Sequence, residues 1–505
     1  MRSRASWPAV CLLALMACPV FDAAATARPG GGQGYSSPTG GGDSDSDDDG
    51  AAYVVVFELL RLAFQVTARY PAAMWPVWGV LAGIAVLWVR SLPDPATGDW
   101  TVGALKASEE APPPVALERL RNLDPEFSTV LFEDFVYTLY ARAHEARGHG
   151  RLQDLGAYLS PEAQRGLAEI TTGRVEGVEG IVIGALRYGR VTGLAPDNAS
   201  GRVAVDVAIE ANYTETLPGQ AGVERSAFWV REQWVFSRQQ SARSLPPARL
   251  RSLGCPGCGA PAASRDPGVC AHCGNPIAPT DFDWLVDAAR TIERRQTPPA
   301  LTGDTAESGT GLTTIVDATA DERRRAIEAR DPAFTWSGFE ARVRHIFAEL
   351  QPAWSAMDLS RARPYLTDHL IQTWAFWFEA YQRAGLRNGN QGTRVTAVQL
   401  ARVASDRHFD AITVRVRATG LDFTIDALGQ FLSGSRDTPR EYTEYWTLIR
   451  GQATTGAPRA DSLCPRCGGP LLVAMGGDCE HCGAHVSSGD FDWVLSRVEQ
   501  DDAYR

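Results

Sequence analysis

The sequence predicts an α+β protein built of two tandem domains, each a group of helices followed by an antiparallel sheet that curls over them and a four-cysteine ribbon. Three observations predict this. Residues 124–160 align with 331–367 without a gap, helical spacing gives way to alternating strands in each copy, and Cys-x2-Cys-x11-Cys-x2-Cys occurs late in each copy. With 505 residues and 44% apolar composition, the chain can bury two or three sizeable cores. A formal net charge of -11 argues against broad nucleic-acid binding, because releasing counterions from phosphates takes a basic face. Lys106 is the sole lysine, and the preference for arginine reads as codon bias rather than anion clamping.

The N-terminal region precedes the repeat and differs in kind. Arg2 and Arg4 stand before an apolar run from Trp7 to Val20, and Ala25-Thr26-Ala27 offers a small-x-small cleavage site, so residues 1–27 read as an export signal. Leu15-Met16-Ala17-Cys18 is a poor lipoprotein box and leaves acylation at Cys18 open. Residues 28–50, rich in Gly, Ser and Asp, form a solvated tether. In 51–70, Glu58, Arg61, Gln65 and Arg69 make a narrow polar stripe on an apolar helix, as expected for a helix lying at a membrane surface. Residues 71–90 contain an uncharged run with Trp75, Trp78 and Trp88 near its ends and Arg90 behind it, which predicts one transmembrane helix. A leader pointing outward and one span put everything after Arg90 in the cytosol. Residues 91–123 then link the span to the first domain.

Each copy opens with Asp-Pro, at Asp124-Pro125 and Asp331-Pro332, followed by apolar residues at helical spacing: Phe132, Val136, Leu139 and Ala143, then Phe339, Val343, Ile346 and Leu350. Tyr158-Leu159-Ser160 and Tyr365-Leu366-Thr367 end a second short helix, with a hydroxyl placed to cap the next. Strands follow. Val203, Val205, Val207, Ile209 and Ala211 alternate with polar or small residues, as do Ile412, Val414, Val416 and Ala418. The last strand recurs as Glu232-x-Trp234-x-x-x-Arg238 and Glu444-x-Trp446-x-x-x-Arg450, which places all three side chains of each set on one sheet face. They can serve as a ligand-binding set inside a cavity or as an ion pair and Trp that hold strand to helix. Burial of charge favours the second.

The Asp-Pro-x-Phe helix start, the Tyr-Leu-Ser/Thr element and the Glu-x-Trp strand, in that order and twice, resemble the Tim-44-like domain family, a branch of the nuclear-transport-factor-2-like fold. With the upstream leader and span, the chain resembles its bacterial membrane-anchored members. The resemblance covers 124–290 and 331–500. It implies cone-shaped domains and an adaptor or binding role at the inner membrane rather than a defined catalytic site.

Domain boundaries are therefore expected at 124–293, with a ribbon at 253–277, and at 331–500, with a ribbon at 462–486. The segment 294–330 is expected to be a flexible linker. Cys255, Cys258, Cys270 and Cys273, and Cys464, Cys467, Cys479 and Cys482, have the spacing of tetrahedral Zn2+ sites. All positions are filled by sulfur, so two structural zinc ions per chain are expected and no open position for an activated water. Spacing alone leaves iron open. After each ribbon, Asp281-Phe282-Asp283-Trp284 or Asp490-Phe491-Asp492-Trp493 leads into a segment whose apolar residues, such as Leu285, Ala288 and Ala289 or Val494, Leu495 and Val498, predict an amphipathic helix.

Function is read as a non-catalytic, membrane-anchored adaptor recruiting a protein partner or apolar ligand, with no nucleic acid. One rival is an isomerase or dehydratase site in one pocket. The other is an anionic-lipid-binding module using Arg323, Arg324 and Arg325, or Arg243, Arg249 and Arg251.

Overall fold

The computed structural model describes residues 115–170, 175–195, 198–219, 222–244, 284–296, 301, 309–501 and 504. The expected leader, tether, interfacial helix and transmembrane helix lie outside these residues, as does the first ribbon with Cys255, Cys258, Cys270 and Cys273. Among the described residues no helix is long and apolar enough to cross a membrane.

The architecture is mixed α+β, with two four-stranded antiparallel sheets, each packed with helices. The first half runs α1 (Thr129–Gly148), α2 (Pro161–Ala168), β1 (Gly177–Thr192), β2 (Arg202–Gly219), β3 (Gly222–Gln239) and β4 (Leu285–Arg295). The second runs α3 (Ala320–Arg330), α4 (Trp336–Ala356), α5 (Asp368–Arg383), β5 (Leu386–Ser405), β6 (Phe409–Asp426), β7 (Phe431–Gly451) and β8 (Val494–Gln500). Both sheets are simple meanders, ordered β1-β2-β3-β4 and β5-β6-β7-β8.

Local chemistry sets the helix starts. Ser128 and Thr335, four residues after the Asp-Pro aspartates, accept from the amides of Leu131 and Gly338 and so cap α1 and α4. The inner faces of α1 and α4 then meet the alternating apolar faces of β2 and β6, whose Val205, Val207, Ile209 and Ala211, and Ile412, Val414 and Ala418, are wholly buried.

The segments after the ribbons are strands, not helices. Val286 and Ala289 in β4, and Leu495 and Val498 in β8, are the buried residues whose i, i+3 spacing looks helical in the sequence. Their spacing comes from a β-bulge. Phe236 pairs with Val286 and Val235 with Ala288, skipping Asp287; Leu448 pairs with Leu495 and Thr447 with Arg497, skipping Ser496. One extra residue turns a period of two into a step of three. Glu-x-Trp-x-x-x-Arg accordingly lies on the third strand of each sheet, with the bulged strand as the fourth.

The bulge has a use. Leu159 and Leu366 of the Tyr-Leu-Ser/Thr elements form parallel bridges to Val286 and Leu495. Ser160 donates its hydroxyl to the carbonyl of the bulged Asp287 at 2.6 Å, and the ring of His369 contacts the carbonyl of Ser496 at the same distance. The helical layer is thereby tied to the last strand at the point where the ladder opens.

Within the segment expected to be a flexible linker, residues 309–317 are strapped across the second sheet. Arg415 donates to the carbonyls of Gly309 and Leu312, and Ile315 N–H donates to the Tyr445 hydroxyl. Buried arginines that need acceptors hold down a stretch whose composition alone reads as loose.

Candidate metal centre

Cys464, Cys467, Cys479 and Cys482 converge, with all four Sγ atoms within 4.8 Å of one another. Two turns make the convergence possible. Cys464 N–H donates to Gly469 O and Gly468 N–H to Cys464 O, and the second knuckle repeats this with Cys479, Ala484 and Gly483. Gly468 and Gly483 take φ of 73° and 65°, the left-handed region that closes each turn. Cys464 and Cys482 Sγ lie 3.9 Å apart, against the roughly 3.8 Å edge of a tetrahedron with Zn–S bonds of about 2.3 Å. The donor set fits one such ion. Four sulfurs leave no coordination position for water, so the chemistry on offer is structural.

The ribbon is seated on its domain from two sides. The buried Arg363, beside the Tyr-Leu-Thr element, donates to Met475 O at 2.8 Å and to Leu366 O at 2.9 Å, and also reaches Asp368. Phe491 packs on the small apolar cluster around Cys464 and Cys479, while Trp493 enters the main core.

The Glu, Trp and Arg side chains of β3 and β7 do share one face, and all six are nearly or fully buried. They do not pair with each other as Glu and Arg. Glu232 Oε2 accepts the Trp234 indole N–H at 2.8 Å, and Glu444 Oε2 accepts that of Trp446 at 2.9 Å. Arg238 instead pairs with Asp124 at 3.0 Å, and Arg450 with Asp331 at 3.1 Å, the aspartates of the two Asp-Pro starts. Each aspartate also accepts a backbone amide, from Ser244 or Gly456. Over each guanidinium lies the Trp that follows the ribbon, Trp284 at 4.8 Å and Trp493 at 4.9 Å. Three motifs far apart in sequence thus meet at one node in each half. Burial pushes the Asp124 carboxyl up, but hydrogen bonds from Ser244 and the Arg238 charge outweigh it and hold it below the usual carboxylate range.

The first half adds a polar chain that the sequence did not reveal. Arg294, partly exposed, donates to Glu215, which also accepts from Arg147 at 2.8 Å. Arg147 Nε donates to His144 Nδ1, and His144 Nε2 meets Glu232 Oε2, each at 3.3 Å. An acceptor role at Nδ1 requires a neutral ring, in keeping with burial holding the His144 pKa below its ordinary value against the pull of Glu232. In the alignment the second half carries Gln351 and Trp354 where the first has His144 and Arg147. The signal was present as His144 and Arg147 on the inner face of α1, yet only the fold brings Glu215 and Glu232 to them.

No curated protein matches the chain by sequence. Among solved structures, one titled "Ntf2 like protein involved in plasmid conjugation" aligns over 74% of this chain and 97% of its own, at 8% identity and a TM-score of 0.18. A superposition that weak carries nothing about function. The family model of the Tim44-like domain matches residues 320–459, from the start of α3 to just short of the second ribbon, so this stretch is a Tim44-like domain.

Proposed function

We propose that this chain is a non-catalytic, membrane-anchored adaptor of duplicated Tim44-like halves, each braced by a structural zinc ion, that recruits a protein partner or apolar ligand at the inner membrane with both halves in the cytosol. The observation that carries the reading is how the polar groups of both sheets are used. Asp124–Arg238, Asp331–Arg450 and the two Glu–Trp pairs are buried and hold elements together, and the cysteine cage has no open position. With these groups engaged in structure, the reading places function on the surface. Equivalent nodes in the two halves support the duplication, and the match over 320–459 supports the adaptor class.

The test combines three measurements on the full-length chain. Two zinc ions per chain under reducing conditions, resistance to alkaline carbonate extraction, and recovery of a stoichiometric partner from solubilised membranes are expected. Fewer than one metal per chain removes the zinc brace, extraction by carbonate removes the anchor, and recovery of the chain alone removes the adaptor role.

The His144–Glu232 contact favours one second reading, a catalytic cone in the first half. It predicts turnover abolished by His144→Gln without loss of fold. The anionic-lipid reading has less support, since Arg323 and Arg324 are engaged by Glu118 and Glu328.

A further inference from the structure

One face of α1 and one face of α5, each partly covered, line the same cavity of about 790 Å³. On α1 the face runs from Leu131 through Phe135, Thr138 and Ala141 to Glu145; on α5 it runs from Asp368 through Gln372, Ala375 and Phe376 to Glu379. Both follow the i, i+3/i+4 spacing of a single helix face. At 1.5 Å per residue they extend roughly 16 to 21 Å, three to four helical turns. Ile181 and Val182 of β1 back the groove, and the second ribbon closes one end with Asp478, His485 and Ser487.

The groove is apolar in its floor and acidic at its rim. Phe135, Ala141 and Ala375 supply the accessible floor, with Phe376 and Val182 buried behind it, whereas Asp134, Glu145, Asp368, Glu379 and Asp478 stand around it. Arg142 is the one arginine in the lining. Arginines outside the groove hold two of the acids, Arg363 at Asp368 and Arg383 at Glu379. Asp134 and Asp478 have a histidine ring beside them, His369 at 3.5 Å and His485 at 3.0 Å, and no arginine pairs with either among the described residues. Both acids are more than half exposed.

Resting on the adaptor reading above, we propose that this groove is the docking site for a basic amphipathic helix of a partner protein. Two facing helices present ridges into which a third helix can pack, and the volume takes the apolar side chains along one face of such a helix. Lysines or arginines flanking that face would meet the acidic rim, and the overall charge of -11 steers a cationic partner in. The same rim repels an anionic bilayer. The ribbon forms one wall, which gives the metal site a part in shaping the docking surface.

The probe is a fluorescein-labelled Leu/Lys peptide of about four helical turns, with a Leu/Glu peptide of the same pattern as control, titrated against the purified full-length chain. Binding of the basic peptide only is expected, weakening at least tenfold at high salt. Asp134→Asn with Asp478→Asn should weaken it at least tenfold, and so should Gln372→Trp, which fills the groove from an exposed position. Glu322→Gln with Asp437→Asn, exposed acids outside the lining, should leave it unchanged. Thermal melts identify any variant that unfolds. Equal binding by wild type and both groove variants overturns the docking site while leaving the adaptor reading standing. Binding of the Leu/Glu peptide, or conversion of a self-associated chain to monomer by the groove variants, overturns the basic helix as occupant.

Discussion

At the residue scale, the sequence identified the charges and the Trp that hold strand to helix but not which groups they meet. Glu and Arg six residues apart on one strand invite an ion pair, yet in both halves Arg reaches the Asp-Pro aspartate and Glu turns to the neighbouring indole. A guanidinium near a buried carboxylate and a cross-facing Trp ring satisfies charge and donors together, which the adjacent Glu could not do alone. Asp331→Asn should therefore cost about 3 to 5 kcal/mol, since it strands the buried Arg450, and a denaturant midpoint shift in the full-length chain checks this. Acid should act through His144. Its pKa is lowered in the folded state, so the neutral ring contributes stability above the unfolded value of 6.5 that is lost as pH falls below it toward the folded value. Melting temperature should drop between pH 7 and pH 5, and His144→Gln should flatten that drop; an equal slope in the variant would assign the effect elsewhere.

At the scale of elements, periodicity located the first helices and central strands, because each turns an apolar face to a core and a polar face away from it, although on β6 the polar Thr413, Arg415 and Thr419 are buried as well. It failed where a bulge intervened. Val286 to Ala289 and Leu495 to Val498 carry a three-residue step that only the pairing register explains. The capping expectation divides in an informative way. Ser160 accepts from the Ala163 amide, whereas Thr367 begins α5 without a side-chain cap bond. Ser160→Ala should cost about 1 kcal/mol and Thr367→Ala clearly less, by equilibrium unfolding. The ribbon should behave as a metal-dependent element. Chelation, or Cys479→Ser, should raise amide exchange across 464–488 while the β6–β7 ladder keeps its protection, and unchanged exchange would show that packing by Arg363 and Phe491 suffices without metal.

At the scale of the molecule, the two halves meet through contacts that neither copy predicts. His369 stacks on Tyr137 at 4.3 Å, and Glu118 receives Arg323 and Arg402 from the second half. Glu118→Gln combined with Tyr137→Ala should split a single calorimetric unfolding transition into two; a transition that stays single would place the coupling elsewhere. The sequence by itself determined the α+β plan, the repeated elements, the faces of the central strands and the cysteine spacing, all of which depend on residues close together along the chain or on a pattern repeated within it. Only the tertiary structure decided which charges pair, why the last strands step by three, that the buried His144 joins a chain of polar groups, and that α1 and α5 leave a groove between them. Those outcomes depend on residues distant in sequence competing for the same donors and the same buried space, and a linear pattern does not record which of them meet.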